Sequence, residues 1–156
     1  MCMALGDHFS ASERSAYFER SWEPGRIFYL YCDEKLIKRA KDKYLLLVCD
    51  EPNPILFLIN KAVNPLIQKD PARRGGDVPI ERKDYPCLTR EQSFIDCTLT
   101  IESFTKAAIK RQVFDDIKRV GDKLKWETVE QVLKKVDASR TLSRYQKILI
   151  RKALER

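Results

Sequence analysis

The sequence predicts an α+β protein, a small antiparallel β body of about five strands followed by C-terminal helices. Three observations carry this. Short apolar runs, each bounded by Pro, Asp, Glu or Asn, recur between residues 26 and 60. The spacers between them are too short for a crossover helix, so neighbouring strands must run antiparallel. From residue 101 onward the apolar period lengthens to that of a helix.

Residues 1–23 read as an N-terminal arm. Within it, residues 12–22 can form a short helix carrying Ala16, Tyr17 and Phe18, ended by Pro24-Gly25. The arm is expected to stand apart from the core. Residues 24–100 form the β body. Its strands are expected at residues 26–32 (RIFYLYC), 43–49 (KYLLLVC) and 54–60 (PILFLIN). Residues 61–92 hold four of the seven prolines and the Gly75-Gly76 pair, so a long loop with one short strand at 78–81 is expected. Alternation in SFIDCT makes residues 93–98 a further strand.

Residues 101–156 form the helical part, packed on or beside the body. A first helix is expected from Ile101, Phe104, Ala108, Val113, Ile117 and Val120, with Gly121 as its C-cap. A second carries Trp126, Val129, Val132, Leu133 and Val136. The third opens with the capping box Ser143 and Gln146, its apolar face assigned to Tyr145, Ile148 and Leu149.

The chain has 156 residues, with 30 Lys+Arg against 23 Asp+Glu, a net +7. The excess is uneven. Residues 106–156 carry 15 basic and 7 acidic side chains, about +8, while residues 1–105 are close to neutral. The C-terminal third therefore either meets an anionic partner or presents solvated helix faces. Arg140, Arg144, Lys147 and Arg151 recur at spacings of 4, 3 and 4, a basic stripe suited to a phosphate backbone or an acidic partner helix. The five cysteines, at 2, 32, 49, 87 and 97, form no C-x-x-C pair, and His8 is the only histidine. No zinc site is expected. Cys49 and Cys97 lie in apolar runs and read as buried hydrophobes, and reduced thiols suit a cytoplasmic protein. No apolar run reaches the roughly 18–20 residues of a membrane span, and the N-terminus lacks a secretory pattern. Phosphate-binding glycine loops, zinc-protease motifs and the nucleophile elbow are all absent from the sequence. A Cys–His nucleophile pair would need His8, which reads as a surface residue.

Pro24-Gly25-Arg26-Ile27-Phe28 resembles the opening strand, P-G-D-I and an apolar residue, of the MazF/PemK-like toxin family. Residues 41–48 (KDKYLLLV) are similar to that family's next strand, K-x-R-P and an apolar run, with Lys43-Tyr44 in place of Arg-Pro. Ser93-Phe94-Ile95-Asp96-Cys97 resembles the strand that closes the family's sheet. The likeness spans roughly residues 24–120. Arg26 replaces the family's Asp, and Asn60-Lys61 stand about where the family has Thr or Ser. The resemblance implies a small SH3-like β-barrel and a metal-independent, cofactor-free endoribonuclease acting on single-stranded RNA. It also implies a homodimer held in check by an antitoxin, an acidic peptide or protein.

Metal-free RNA cleavage uses the neighbouring 2′-hydroxyl as nucleophile and needs a base, an acid and a cation on the phosphorane. Lys43 is the candidate cation and Asp96 the candidate base. Ser93 and Asn60 can bond phosphate or base edges. Arg39, Lys61, Arg73 and Arg74 are candidates for gripping the RNA backbone. Each has an ordinary alternative: a strand-edge charge for Lys43, a cap or ion pair for Asp96, a turn for Ser93, solvated loop charge for Arg73-Arg74. The same body used without catalysis, to bind nucleic acid or a protein, is the competing reading.

Overall fold

The computed structural model describes residues 9–156. Cys2 and His8 lie outside the described residues. The order is α1 (Ala11–Ser21), β1 (Arg26–Cys32), β2 (Lys41–Cys49), β3 (Ile55–Asn60), α2 (Pro65–Lys69), β4 (Asp77–Glu81), β5 (Gln92–Ile101), α3 (Lys106–Asp115), a 3-10 turn (Ile117–Arg119), β6 (Val120–Lys123), α4 (Trp126–Ala138) and α5 (Arg144–Leu154). No described helix is long and apolar enough to cross a membrane.

The strands form one antiparallel sheet in the order β4-β5-β3-β2-β1-β6. The expected antiparallel body is present, but the sheet has six strands and stays open, a curled half-barrel with β4 and β6 at its edges.

Two cores explain the openness. The continuous apolar runs of β1–β3 bury both of their faces, which demands a layer on each side. On one face, Ile27, Leu46, Val48, Phe57 and Ile59 pack with Val129, Val132 and Val136 of α4 and Ile150 and Leu154 of α5. On the other, Phe28, Leu30, Leu45, Leu47 and Leu56 pack with Phe18 of α1 and Ile109 and Val113 of α3. Helices therefore cover both faces.

Residues 12–22 are helical as expected, but they are not detached from the core. Ser10 and Glu13 form a capping box for α1. Phe18 is fully buried, and Trp22 bridges its ring to Phe28 at centroid distances of 5.4 and 5.8 Å. One buried Phe is worth roughly 1.5–3 kcal/mol.

The long region 61–92 contains α2, which the loop expectation missed. Asn64 caps it, its side chain accepting from the Leu66 N–H, and Pro65 starts the helix where no donor is needed. Tyr85 anchors the second half of this region. Its hydroxyl accepts from the Lys125 N–H at 3.1 Å and bonds Thr128 at 2.6 Å, replacing the side-chain cap that Lys125 does not supply to α4.

Three expectations for the C-terminal part are corrected. Ile101 ends β5 rather than opening a helix, and α3 is short. Gly121 is not a C-cap but lies in β6, against Ile27 of the neighbouring strand. A Cβ there would stand 2.9 Å from the Ile27 carbonyl oxygen and 3.0 Å from the Cys87 sulfur, so close backbone approach explains this glycine. The inner face of α5 consists of Ile150, Ala153 and Leu154, with Leu149 half-buried; Tyr145 and Ile148 are exposed. The capping box of Ser143 and Gln146 is present as expected.

Candidate functional site

β2, β3 and β5 place several of the predicted residues around one small cavity of about 90 Å³. Lys43, Asn60, Lys61 and Ser93 line it together with Lys41, Asp42, Tyr29, Tyr44, Ile59, Thr89 and Arg90. The register explains the meeting. Tyr44 pairs with Ile59, and Asn60 pairs with Phe94, so the start of β2, the end of β3 and the start of β5 share one end of the sheet. Tyr29 lies opposite Tyr44 across β1 and β2, their rings stacked at 4.5 Å.

The charge around the cavity is almost all positive. Lys43 is half-buried and donates to the Asn60 Oδ1 at 3.3 Å. Burial first, then the like charges of Lys41 and Lys61, hold its ammonium below the ordinary lysine range, although Cys32 opposes the fall. Among the described residues, Lys41, Lys43, Lys61 and Arg90 make no ion pair with a carboxylate. The one carboxylate in the lining, Asp42, accepts from Arg119 at 2.9 Å, and Arg119 also donates to the Tyr29 carbonyl. The Tyr44 hydroxyl donates to the Cys87 carbonyl at 2.8 Å, and burial raises its pKa.

Asp96 does not join this cavity lining. Its Oδ1 accepts from both the backbone N–H and the hydroxyl of Thr98, at 2.9 and 2.6 Å. Its Oδ2 accepts from Arg73 at 3.1 Å, and the Arg73 Nε donates to Thr98. This knot sits where β5 carries three more residues than β3 between paired positions, a large bulge. The odd number of extra residues reverses the facing of β5. Ile95 and Cys97 enter the core beneath α4 and α5, while Ile101 enters the other. Gly76 lets the loop close over the knot, since a Cβ there would strike the Thr98 methyl at 2.2 Å. Asp96 and Arg73 are thus committed to each other.

The remaining candidates are dispersed. Arg39 is exposed in the β1–β2 loop, and Arg74 is exposed beside the knot. Arg140 precedes α5 and is exposed, as is Arg144. Lys147 donates to the carbonyls of Asp137 and Ser139 at the end of α4, at 3.2 and 2.6 Å. Arg151 is held by Asp137 and Glu155. Half of the basic stripe is therefore spent inside the molecule. The stripe also lies at the other end of the sheet: Arg156 pairs with Asp50 just beyond β2, and Gln146 reaches Thr100 of β5.

Among the described residues, no cluster of His, Cys, Asp and Glu could hold a metal ion. The cavity residues missed in the sequence include Lys41, Asp42, Tyr44, Thr89 and Arg90. Lys41 sits two residues before Lys43, an alternation that was legible. Thr89 and Arg90 arrive only because the 82–91 loop folds back to β5, the Arg82 N–H bonding the Glu91 carbonyl. No family model, curated protein or solved structure matches this chain.

Proposed function

We propose that the chain binds single-stranded RNA at the cationic end of the sheet, with Lys41, Lys43, Lys61 and Arg90 meeting phosphates. The observation that carries this reading is the convergence of Lys43, Asn60, Lys61 and Ser93, distant in sequence, on one cavity with no free carboxylate. Unpaired cations beside a tyrosine pair suit a strand whose phosphates and bases are both accessible. The resemblance to MazF/PemK-like toxins points the same way, since Lys43 and Asn60-Lys61 stand at that family's Arg-Pro and Thr/Ser positions. On this reading the half-barrel is a diverged SH3-like barrel.

The test is fluorescence anisotropy of a labelled RNA oligomer across a salt series. Replacing Lys41 and Lys61 by Glu is expected to weaken binding at least about tenfold. It should also flatten the log–log salt slope by about 1.4, at roughly 0.7 per lost phosphate contact. Wild-type binding that ignores salt, or equal binding by the double variant, overturns the proposal.

Cleavage is a second reading, favoured by a half-buried Lys43 that makes no ion pair with a carboxylate. The 2′-hydroxyl would give its proton to solvent water as its oxygen attacks phosphorus, the bond to the 5′-oxygen would break with that oxygen taking a proton from water, and Lys43 would carry the phosphorane charge, leaving a 2′,3′-cyclic phosphate and a 5′-hydroxyl. Asp96 has no part in this version, because both of its oxygens are engaged. RNA incubated with the protein in chelator should yield fragments that vanish with Lys43→Ala. Intact RNA removes cleavage and leaves binding standing.

A further inference from the structure

We infer that the cavity at the sheet end receives a terminal phosphate monoester of the bound strand, not an internal phosphodiester; this rests on the RNA-binding reading above. Size is the first argument. At about 90 Å³ the cavity is far below the roughly 300 Å³ at which small-molecule pockets begin, so it admits one small group and not a whole nucleotide. A phosphate fits that description.

Charge is the second argument. Lys41, Lys43, Lys61 and Arg90 are all among the residues that line this single small space. An internal diester brings one negative charge and must leave in two directions. A terminal monoester brings about −1.5 to −2 near neutral pH, three acceptor oxygens and a single exit. Four unpaired cations match the monoester better. Burial first, and then the like charges of Lys41 and Lys61, disfavour the Lys43 ammonium, and a dianion beside it would offset both.

Donor chemistry is the third argument. The Asn60 Oδ1 is used by Lys43, which leaves its amide N–H₂ to donate. Ser93 adds a hydroxyl-bearing residue to the lining. Arg119 pairs with Asp42, the lining's one carboxylate, and so offsets the negative charge there.

The experiment is calorimetric titration of the whole chain with four short uridine oligomers. One bears a 5′-phosphate, one a 3′-phosphate and one hydroxyls at both ends. The fourth is also hydroxyl-ended but lengthened to match the total charge of the phosphorylated pair. At least one phosphorylated oligomer is expected to bind about tenfold more tightly than the charge-matched control. The arm that gains identifies the end of the strand. Lys43→Met should abolish the preference. Asn60→Ala, at a half-exposed strand end, should reduce it and guards against a folding defect in the first variant. Equal affinity for all four overturns the terminal site while the RNA reading survives. Absence of binding by all four overturns both.

Discussion

Asp96 and Lys43 show how a charged side chain can be spent inside the fold or left without an ion-pair partner. Asp96 is 5 % exposed, and each of its oxygens has a partner within the chain. It closes the β5 bulge by satisfying the Thr98 N–H that the ladder abandons. Removing it leaves Arg73 and Thr98 without their acceptor. Asp96→Ala is expected to cost about 2–3 kcal/mol in urea unfolding, below the range for fully buried pairs because Arg73 keeps 26 % of its side-chain surface exposed. Its effect on RNA affinity at a temperature where the fold persists should be small, and a large loss there would return Asp96 to the site. Lys43 has no carboxylate partner, and its cost of burial remains unmet. The sequence marked both as candidates, since an Asp at a strand and a Lys at a strand edge look alike whether paired or free.

At the scale of elements, the clearest lesson is α5. Its start was legible, because Ser143 and Gln146 satisfy free N–H groups locally. Its inner face was not. Tyr145, Ile148 and Leu149 are apolar at helical spacing, yet the sheet selects Ile150, Ala153 and Leu154. Two apolar stripes compete on one helix, and the tether to α4 and the Gln146–Thr100 bond decide the rotation. Ile150→Ala is therefore expected to lose about 2–4 kcal/mol. Tyr145→Ser and Ile148→Ser should each stay within about 0.5 kcal/mol. Thermal unfolding of the three variants measures both, and a large loss at Tyr145 would reverse the assignment. The same competition explains β6. Val120 continues a helical pattern in the sequence and Gly121 reads as its C-cap, but the free edge of β1 offers ladder partners, and Gly121 allows the approach.

At the scale of the whole molecule, the four described thiols, Cys32, Cys49, Cys87 and Cys97, are buried or half-buried, and this sets a pH limit on stability. Burial raises Cys32 to about 11 and Cys87 to about 12, with Cys49 and Cys97 also raised, against an ordinary thiol value of 9.0. A raised acid keeps its proton in the folded state while the unfolded chain releases it. The contribution of these neutral thiols is complete below about pH 9 and falls away as pH rises toward 11 and 12. Lys43 has the opposite sign, because a lowered lysine gains stability as pH approaches its ordinary value, but it is a single half-buried group. The urea midpoint is expected to drop between about pH 8 and pH 10.5, and to drop less in a Cys87→Ala variant. A flat profile would mean that the thiols are solvated.

The class of the protein and the position of most elements were legible in local sequence patterns. Strand runs, spacer lengths, the α4 periodicity and the capping boxes are local signals, each expressed by residues within a few positions of one another. The resemblance to the MazF/PemK-like family, not these local signals, marked Lys43, Asn60, Lys61 and Ser93. Only the tertiary structure decided that these four meet, that Asp96 and Arg73 close a bulge instead, and that Lys147 and Arg151 serve the end of α4. It also decided that the sheet stays open under two helical layers, with α1 built into one of them. The physical reason is common to all of these. Which of two apolar faces is buried, and whether a charge finds a partner, depends on segments far away in the chain, and those are brought together by packing and register that no local pattern encodes.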